Sequence, residues 1–174
     1  MRVEKEEHAE SIEVLPEDTL WVRFTFVDHA GIPKTKAIYR EDFQRRAEAG
    51  VGLAKGVLAL DPSGQLHSAS GLDPVGEVRL VPDLSGLVRL PFAAGQAMVL
   101  CDMTEPDGRT PWAGCPRAAL RKMVDRLAER GMRSLASFET EFYLLGPEGP
   151  PDRTPYAGSF ALTLAAEFVG ALTT

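Results

Sequence analysis

Two extended stretches separated by a short turn constrain the fold of this chain more than any other feature. Residues 20–27 read Leu-Trp-Val-Arg-Phe-Thr-Phe-Val, and residues 32–39 resume an extended pattern. The Asp-His-Ala-Gly sequence between them is typical of a tight turn. Because alternating β-branched and aromatic residues favour strands, we predict an antiparallel hairpin in this region.

The residues after the hairpin predict one short helix and several further strands. Residues 41–48 have a helical pattern that ends before Gly50. The apolar and alternating runs predict strands over 56–60, 77–81, 87–90 and 96–102, with a loop rich in Gly, Ser and Pro over 62–76. A hairpin, a helix and then more strands predict an α+β domain, and a β-grasp arrangement fits this order.

The character of the chain changes beyond a dense run of turn residues at 104–114, which we interpret as a linker. A helix is predicted over 117–130, with Pro116 at its first position and Gly131 as its C-terminal cap. An apolar helix is predicted over 159–174. Two helices and one strand cannot bury their apolar faces alone, so we expect this second unit to be unfinished.

These signals divide the chain into four predicted parts. They are a flexible acidic N-terminus at 1–17, the β-grasp domain at 18–103, the linker at 104–114 and a truncated second domain at 115–174.

An apolar stretch after the predicted helix carries two glutamates, Glu139 and Glu141. In a strand over 134–145 both would project to one face, roughly 7 Å apart, opposite an apolar row that packs on a core. Carboxylate pairs beside a core favour a divalent cation, because Mg²⁺ and Mn²⁺ prefer oxygen ligands. A solvated strand face is the alternative interpretation. A two-carboxylate hydrolase is disfavoured, because both acids lie on one strand and do not flank a cleft.

Composition excludes several classes of function. The net charge is −6 and basic residues do not cluster, so a nucleic-acid partner is not expected. The acidic N-terminus excludes a signal peptide, and no apolar run is long enough to cross a membrane. Cys101 and Cys115 lack metal-ligand spacing and favour a reducing compartment. We therefore predict a cytoplasmic protein.

Four further residues are assigned structural roles. His29 and His67 lie in predicted loops without ligand spacing and are interpreted as surface histidines. Trp112 is interpreted as a packing anchor at the domain junction, and Arg117 as a structural residue at the start of the second helix.

Five segments of the chain carry recognisable motifs. They include the Asp-Leu-Ser-Gly-Leu-Val-Arg-Leu-Pro-Phe run at 83–92 and the Ser-Phe-Glu-Thr-Glu-Phe-Tyr run at 137–143. The others lie at 23–34, 97–102 and 115–120. Taken together, these segments resemble the glutamine synthetase superfamily, in particular its γ-glutamylamine synthetase branch. The motifs occur in the family's order across roughly residues 18–160, which makes the resemblance more specific than the glutamate pair alone.

The resemblance implies an ATP-dependent carbon–nitrogen ligase. Such enzymes phosphorylate the γ-carboxyl group of glutamate and let ammonia or an amine displace the phosphate. Mg²⁺ or Mn²⁺ and the co-substrate ATP are the implied cofactors. Glu139 and Glu141 match positions at which the family places metal ligands on the first strand of its catalytic domain, so residues 115–174 would contain the first helix and strand of that domain.

Asp61 aligns with an acidic residue that, in the family, helps to capture the incoming ammonium ion. A carboxylate suits this role because it attracts the cation and accepts its proton. The alternative is that Asp61 starts a turn before Pro62 through its side chain.

The resemblance also predicts what this chain cannot do alone. The family's other metal ligands and its ATP-gripping arginines are expected downstream of Thr174, so we expect a fragment without ligase turnover. In the family the site forms between subunits, which implies a homo-oligomer or a complementing C-terminal chain as partner. The competing hypothesis is a non-catalytic β-grasp module for binding or assembly.

Overall fold

The computed structural model describes residues 15–139, 141–150 and 160–173. The chain divides into two compact units, the first ending at Ser134 and the second beginning at Leu135. All but the last three residues of the predicted acidic N-terminus lie outside the described residues.

The first unit is built on a mixed sheet of six strands. Its strands are Trp21–Val27 (β1), Pro33–Tyr39 (β2), Val51–Ala54 (β3), Glu77–Pro82 (β4), Val88–Arg89 (β5) and Gln96–Thr104 (β6). Strands β1 and β2 form the predicted antiparallel hairpin, and β1 also pairs in parallel with β6. The strand order is β2-β1-β6-β4-β3, with β5 paired to β6 outside this path.

Alternate residues of the central strands form the core on one face of the sheet. Phe24 of β1 and Val99 of β6 are fully buried there, in strands that are covered on both edges. Helix α1, Phe43–Ala49, packs on this face, with the Phe43 and Phe24 ring centroids 6.2 Å apart in an edge-on arrangement. A mixed sheet with helices confirms the predicted α+β class.

The strand predicted over 56–60 is wrong. Residues Lys55–Ala59 form a 3-10 helix, and the strand β3 ends just before it. A short apolar run does not distinguish a strand from a buried turn by its pattern alone. Here Leu58 is fully buried, and a Cβ atom on Gly56 would lie 3.1 Å from the Asp73 carbonyl, so the run is packed tightly against the following loop.

Helix α2, Pro116–Ala128, begins at the predicted proline and ends two residues before the predicted end at residue 130. The Cys115 sulphur accepts a hydrogen bond from the Ala118 N–H. At the other end Gly131 has a φ of 69°, and the N–H groups of Gly131 and Met132 donate to the carbonyls of Ala128 and Leu127. This is the Schellman arrangement that glycine favours after a helix.

Arg117 links helix α2 to the sheet. Its guanidinium lies 2.7 Å from Asp83 and 3.6 Å from Asp102 of β6, while Arg121 contacts Asp102 at 2.9 Å. The ion pairs support the predicted structural role of Arg117.

The second unit contains helix α3, Ala161–Thr173, as predicted. The strand predicted over 134–145 is not formed: residues 132–139 and 141–145 lie in neither helix nor strand. Phe138, in the row expected to face a core, is fully exposed. A strand needs a neighbouring strand to pair its backbone N–H and C=O groups, and no other strand lies in the described part of this unit.

None of the described helices is long and apolar enough to span a membrane.

We predict that Phe24→Ala lowers the free energy of unfolding by about 3–5 kcal/mol, because it leaves a cavity in the core against Phe43. Phe92 is 78% exposed, and Phe92→Ala serves as the matched control with an expected change below about 0.5 kcal/mol. Urea unfolding followed by circular dichroism measures both values. Equal losses in the two variants would contradict the assigned core.

Candidate functional site

Asp61 lies at the start of a tight turn after the 3-10 helix Lys55–Ala59. Leu60 and Leu66 form an antiparallel bridge, and the Asp61 N–H donates to the Gln65 carbonyl at 2.9 Å. The Asp61 Oδ1 atom accepts hydrogen bonds from the Ser63 N–H at 2.8 Å, the Ser63 hydroxyl at 2.7 Å and the Gln65 N–H at 2.9 Å. The side chain therefore makes the turn contacts of the alternative interpretation.

These contacts leave Asp61 ionised at neutral pH with one oxygen available. The Ser63 hydroxyl and the Gln65 N–H hold the pKa of Asp61 below its usual value. All three of these hydrogen bonds go to Oδ1, so Oδ2 accepts none of them. A partly exposed carboxylate with a fixed orientation and a free oxygen can attract a small cation. The turn role and cation capture are thus compatible, and the catalytic role of Asp61 stays a prediction.

Glu139 and Glu141 lie in the second unit, in an exposed segment outside regular structure. The residue between them lies outside the described residues, and the described neighbours expose their side chains. No group of three or more His, Cys, Asp and Glu side chains that could hold a metal ion occurs among residues 15–139, 141–150 and 160–173.

The fit to a divalent metal ion is therefore incomplete. Mg²⁺ and Mn²⁺ need six ligands or nearly so, of which two carboxylates supply only a part. The described residues do not make a complete metal site, and the assignment of Glu139 and Glu141 as ligands stays a prediction. No chemical step through a metal ion follows from this arrangement.

Sequence reasoning missed a buried ion pair at the hairpin turn. The Asp28 carboxylate is completely buried and lies 2.8 Å from the Lys34 ammonium. Burial acts to raise the pKa of Asp28, but the hydrogen bonds from Lys34, Ile32 and Ala30 outweigh it and hold the pKa below its usual value. The sequence signal for this ion pair was an acid, Asp28, directly after the first predicted strand and a lysine, Lys34, near the start of the second.

The hairpin turn also contacts the segment before α2. The His29 Nε2 atom is 2.9 Å from the Gly114 carbonyl oxygen, and its ring stacks on Trp112 with an interplanar angle of 10°. The Lys55 ammonium lies 5.9 Å from the centre of the same indole. Trp112 is buried, which supports its predicted role as a packing anchor. His29 contacts the protein through both its ring edge and its ring face.

Comparison with known proteins gives a family match over most of the first unit. A family model described as the glutamine synthetase N-terminal domain matches residues 3–112. The glutamine synthetase of Mycobacterium tuberculosis is 34% identical over 142 residues, which cover 78% of this chain and 29% of that protein. The glutamate–isopropylamine ligase of a Pseudomonas species is 31% identical over 131 residues, which cover 71% of this chain and 28% of that protein. The chain thus spans less than a third of the length of these curated relatives.

Solved structures share the fold. The apo form of GmaS, without ligand, has a TM-score of 0.70 at 18% identity, over 95% of this chain and 38% of that chain. A novel glutamine synthase homologue has a TM-score of 0.57 at 27% identity, over 67% of this chain and 28% of that chain.

We predict that Ser63→Ala raises the pKa of Asp61 toward its usual value of about 3.9, because the hydroxyl donor to Oδ1 is lost. Since the folded-state pKa is lowered, the turn's contribution to stability is present at neutral pH and is lost as the pH falls through that pKa. Carbon-13 NMR titration of the Asp61 carboxyl group measures the change. Ser70→Ala, in the same loop, is the control and leaves the Asp61 titration unchanged; an equal shift in both variants would refute the assigned contact.

Proposed function

Because the chain belongs to the glutamine synthetase family, we propose that it is the N-terminal portion of an ATP-dependent ligase that joins ammonia or an amine to the γ-carboxyl group of glutamate. The family match over residues 3–112 is the observation that carries this proposal. Relatives named glutamine synthetase and glutamate–isopropylamine ligase match at similar identity, so the proposal includes both ammonia and amines as acceptors.

The topology of the first unit supports a β-grasp arrangement. The first strand β1 and the last strand β6 pair in parallel at the centre of the sheet, with antiparallel strands on both sides. Residues 115–174 are proposed as the start of the catalytic domain. The fold likeness to GmaS over 95% of this chain supports that assignment.

Asp61 is proposed to capture the incoming ammonium or alkylammonium ion. Its Oδ1 is held by the turn, so Oδ2 is the atom that faces the cation and accepts a proton as the amine becomes nucleophilic. The lowered pKa of Asp61 keeps the carboxylate charged at neutral pH, which suits attraction of a cation more than strong general-base catalysis.

Glu139 and Glu141 are proposed as ligands for Mg²⁺ or Mn²⁺, an ion that would neutralise charge on the transferred phosphoryl group. The described residues supply only part of a coordination shell, so the complete site needs further ligands. We expect no ligase turnover by this chain alone. No described residue is assigned to ATP.

The further ligands of the site are proposed to come from outside residues 1–174, through a complementing C-terminal chain or other subunits of a homo-oligomer. Helix α2 exposes an apolar row, Leu120, Met123 and Val124, at the i, i+3 and i+4 spacing of a packing face.

A cytoplasmic location is proposed because Cys101 and Cys115 are both free thiols.

We predict that methylammonium binds weakly at Asp61 and shifts the carbon-13 resonance of its carboxyl group in a saturable way. Asp61→Asn abolishes the charge that attracts the cation and removes binding. Asp73→Asn is the control, because Asp73 caps a neighbouring turn through the Val75 N–H, and this variant keeps the Asp61 response. Equal carbon-13 shifts of the Asp61 and Asp73 carboxyl groups would indicate only general attraction of cations and would contradict the proposed role of Asp61.

We predict that Mn²⁺ binds the chain with a dissociation constant of about 1 mM, because only part of a coordination shell is present. Glu141→Ala weakens this binding, whereas Glu148→Ala, a change of an exposed acid in the same unit, does not. Isothermal titration calorimetry on the three proteins compares them. Unchanged affinity in Glu141→Ala would remove Glu141 from the proposed site.

A further inference from the structure

Lys34 joins a buried carboxylate to the segment that leads into the Asp61 turn. The Asp28 Oδ2 atom lies 2.8 Å from the Lys34 ammonium, and its side chain is completely buried. Its Oδ1 accepts hydrogen bonds from the N–H groups of Ala30 and Ile32, each at 2.9 Å. Because a buried carboxylate without a partner is costly, Asp28 fixes the position of the lysine head group.

The same ammonium reaches the 3-10 helix Lys55–Ala59. Lys34 Nζ donates to the Val57 carbonyl at 3.0 Å, and the His29 N–H donates to the next carbonyl, Leu58, at 3.1 Å. The last carbonyls of a short helix find no donor within the helix, so donors from outside help to fix its position. Here the hairpin of β1 and β2 supplies the donors for two consecutive carbonyls, those of Val57 and Leu58.

This helix leads directly into the Asp61 turn. The His67 N–H donates to the Ala59 carbonyl at 3.1 Å, and Leu60 bridges to Leu66. The Asp61 turn therefore begins at Leu60, directly after the anchored helix, and its far end is bonded back to that helix. Because of these contacts, we expect a shift of the helix end to move the Asp61 carboxylate.

We propose that Lys34, held by Asp28, positions the Asp61 turn and thereby sets the approach of the amine, an inference that rests on the proposed role of Asp61. Lys34 touches no reacting atom in this scheme, so it is a positioning residue. A general stabilising role predicts that loss of Lys34 loosens the whole domain. A positioning role predicts that the effect concentrates in residues 55–67.

Three variants separate these roles. Lys34→Met removes the ammonium, and the double variant Asp28→Asn with Lys34→Met removes both charges, so it avoids an unpaired buried carboxylate that could prevent folding. Lys36→Met is the matched control. Lys36 lies two positions along the same strand and donates to the Gly52 carbonyl on β3, away from the Asp61 turn.

Amide hydrogen exchange by NMR is the main measurement. The N–H groups of Ser63 and Gln65, which donate to the Asp61 carboxylate, are expected to exchange about tenfold faster or more in Lys34→Met and in the double variant. The pKa of Asp61, read in the same samples, moves toward its usual value. The amides of β4 and β6 keep their wild-type exchange, and Lys36→Met leaves Ser63 and Gln65 unchanged.

Two results overturn the inference. One is unchanged exchange at Ser63 and Gln65 in the folded double variant. The other is a uniform acceleration across the sheet and the turn, which indicates general destabilisation. Methylammonium titration then tests the proposed function separately: if wild-type Asp61 does not bind the cation, the proposed role of Asp61 fails, while the exchange data still decide whether Lys34 positions the turn.

Discussion

The parallel pairing of β1 with β6 is the contact on which the rest of the first unit depends. It joins the first and last strands of the sheet in register from Trp21 to Thr25 and from Gln96 to Leu100. Because parallel strands end at the same edge, the turn after β1 and the loop after β6 lie together. This pairing brings His29 to the loop after β6, where its ring stacks on Trp112. The same hairpin donates a hydrogen bond from the His29 N–H to the Leu58 carbonyl of the 3-10 helix before Asp61.

A second constraint is the buried charge of Asp28. A carboxylate with no solvent exposure is stable only if donors and a cation surround it, and here two amide groups and the Lys34 ammonium do so. Once the ammonium is fixed, its remaining donors can serve other acceptors at little extra entropic cost. The Val57 carbonyl is one of these acceptors, so a charge buried for the hairpin also orders a neighbouring segment.

The elements predicted correctly from the sequence are those whose local sequence signals agree with their packing in the fold. The hairpin, β4 and β6 alternate against one core, and α2 has both a proline start and a glycine end, so local chemistry and packing agree. The strand prediction over 56–60 failed because an apolar run indicates burial without indicating backbone geometry, and the structure has a 3-10 helix there. Lys34 was missed because its contact with Val57 joins residues far apart in sequence and depends on the sheet order. Glu139 and Glu141 were predicted as metal ligands from their spacing, and this assignment stays a prediction. The strand predicted to carry them is not formed, because a strand needs neighbours that spacing alone does not supply.

The proposed site residues therefore differ in what they require. Asp61 obtains its orientation and its lowered pKa from residues within five positions, Ser63 and Gln65, inside a unit with a closed core. Glu139 and Glu141 lie in a unit whose described apolar side chains, such as Leu135, Phe138 and Leu164, remain exposed. Carboxylates bind a metal ion tightly only when their positions are fixed before binding. Otherwise the entropy lost when they are ordered weakens the binding. The proposed amine-binding residue is thus oriented by the first unit itself, whereas the proposed metal ligands depend on packing within the second unit.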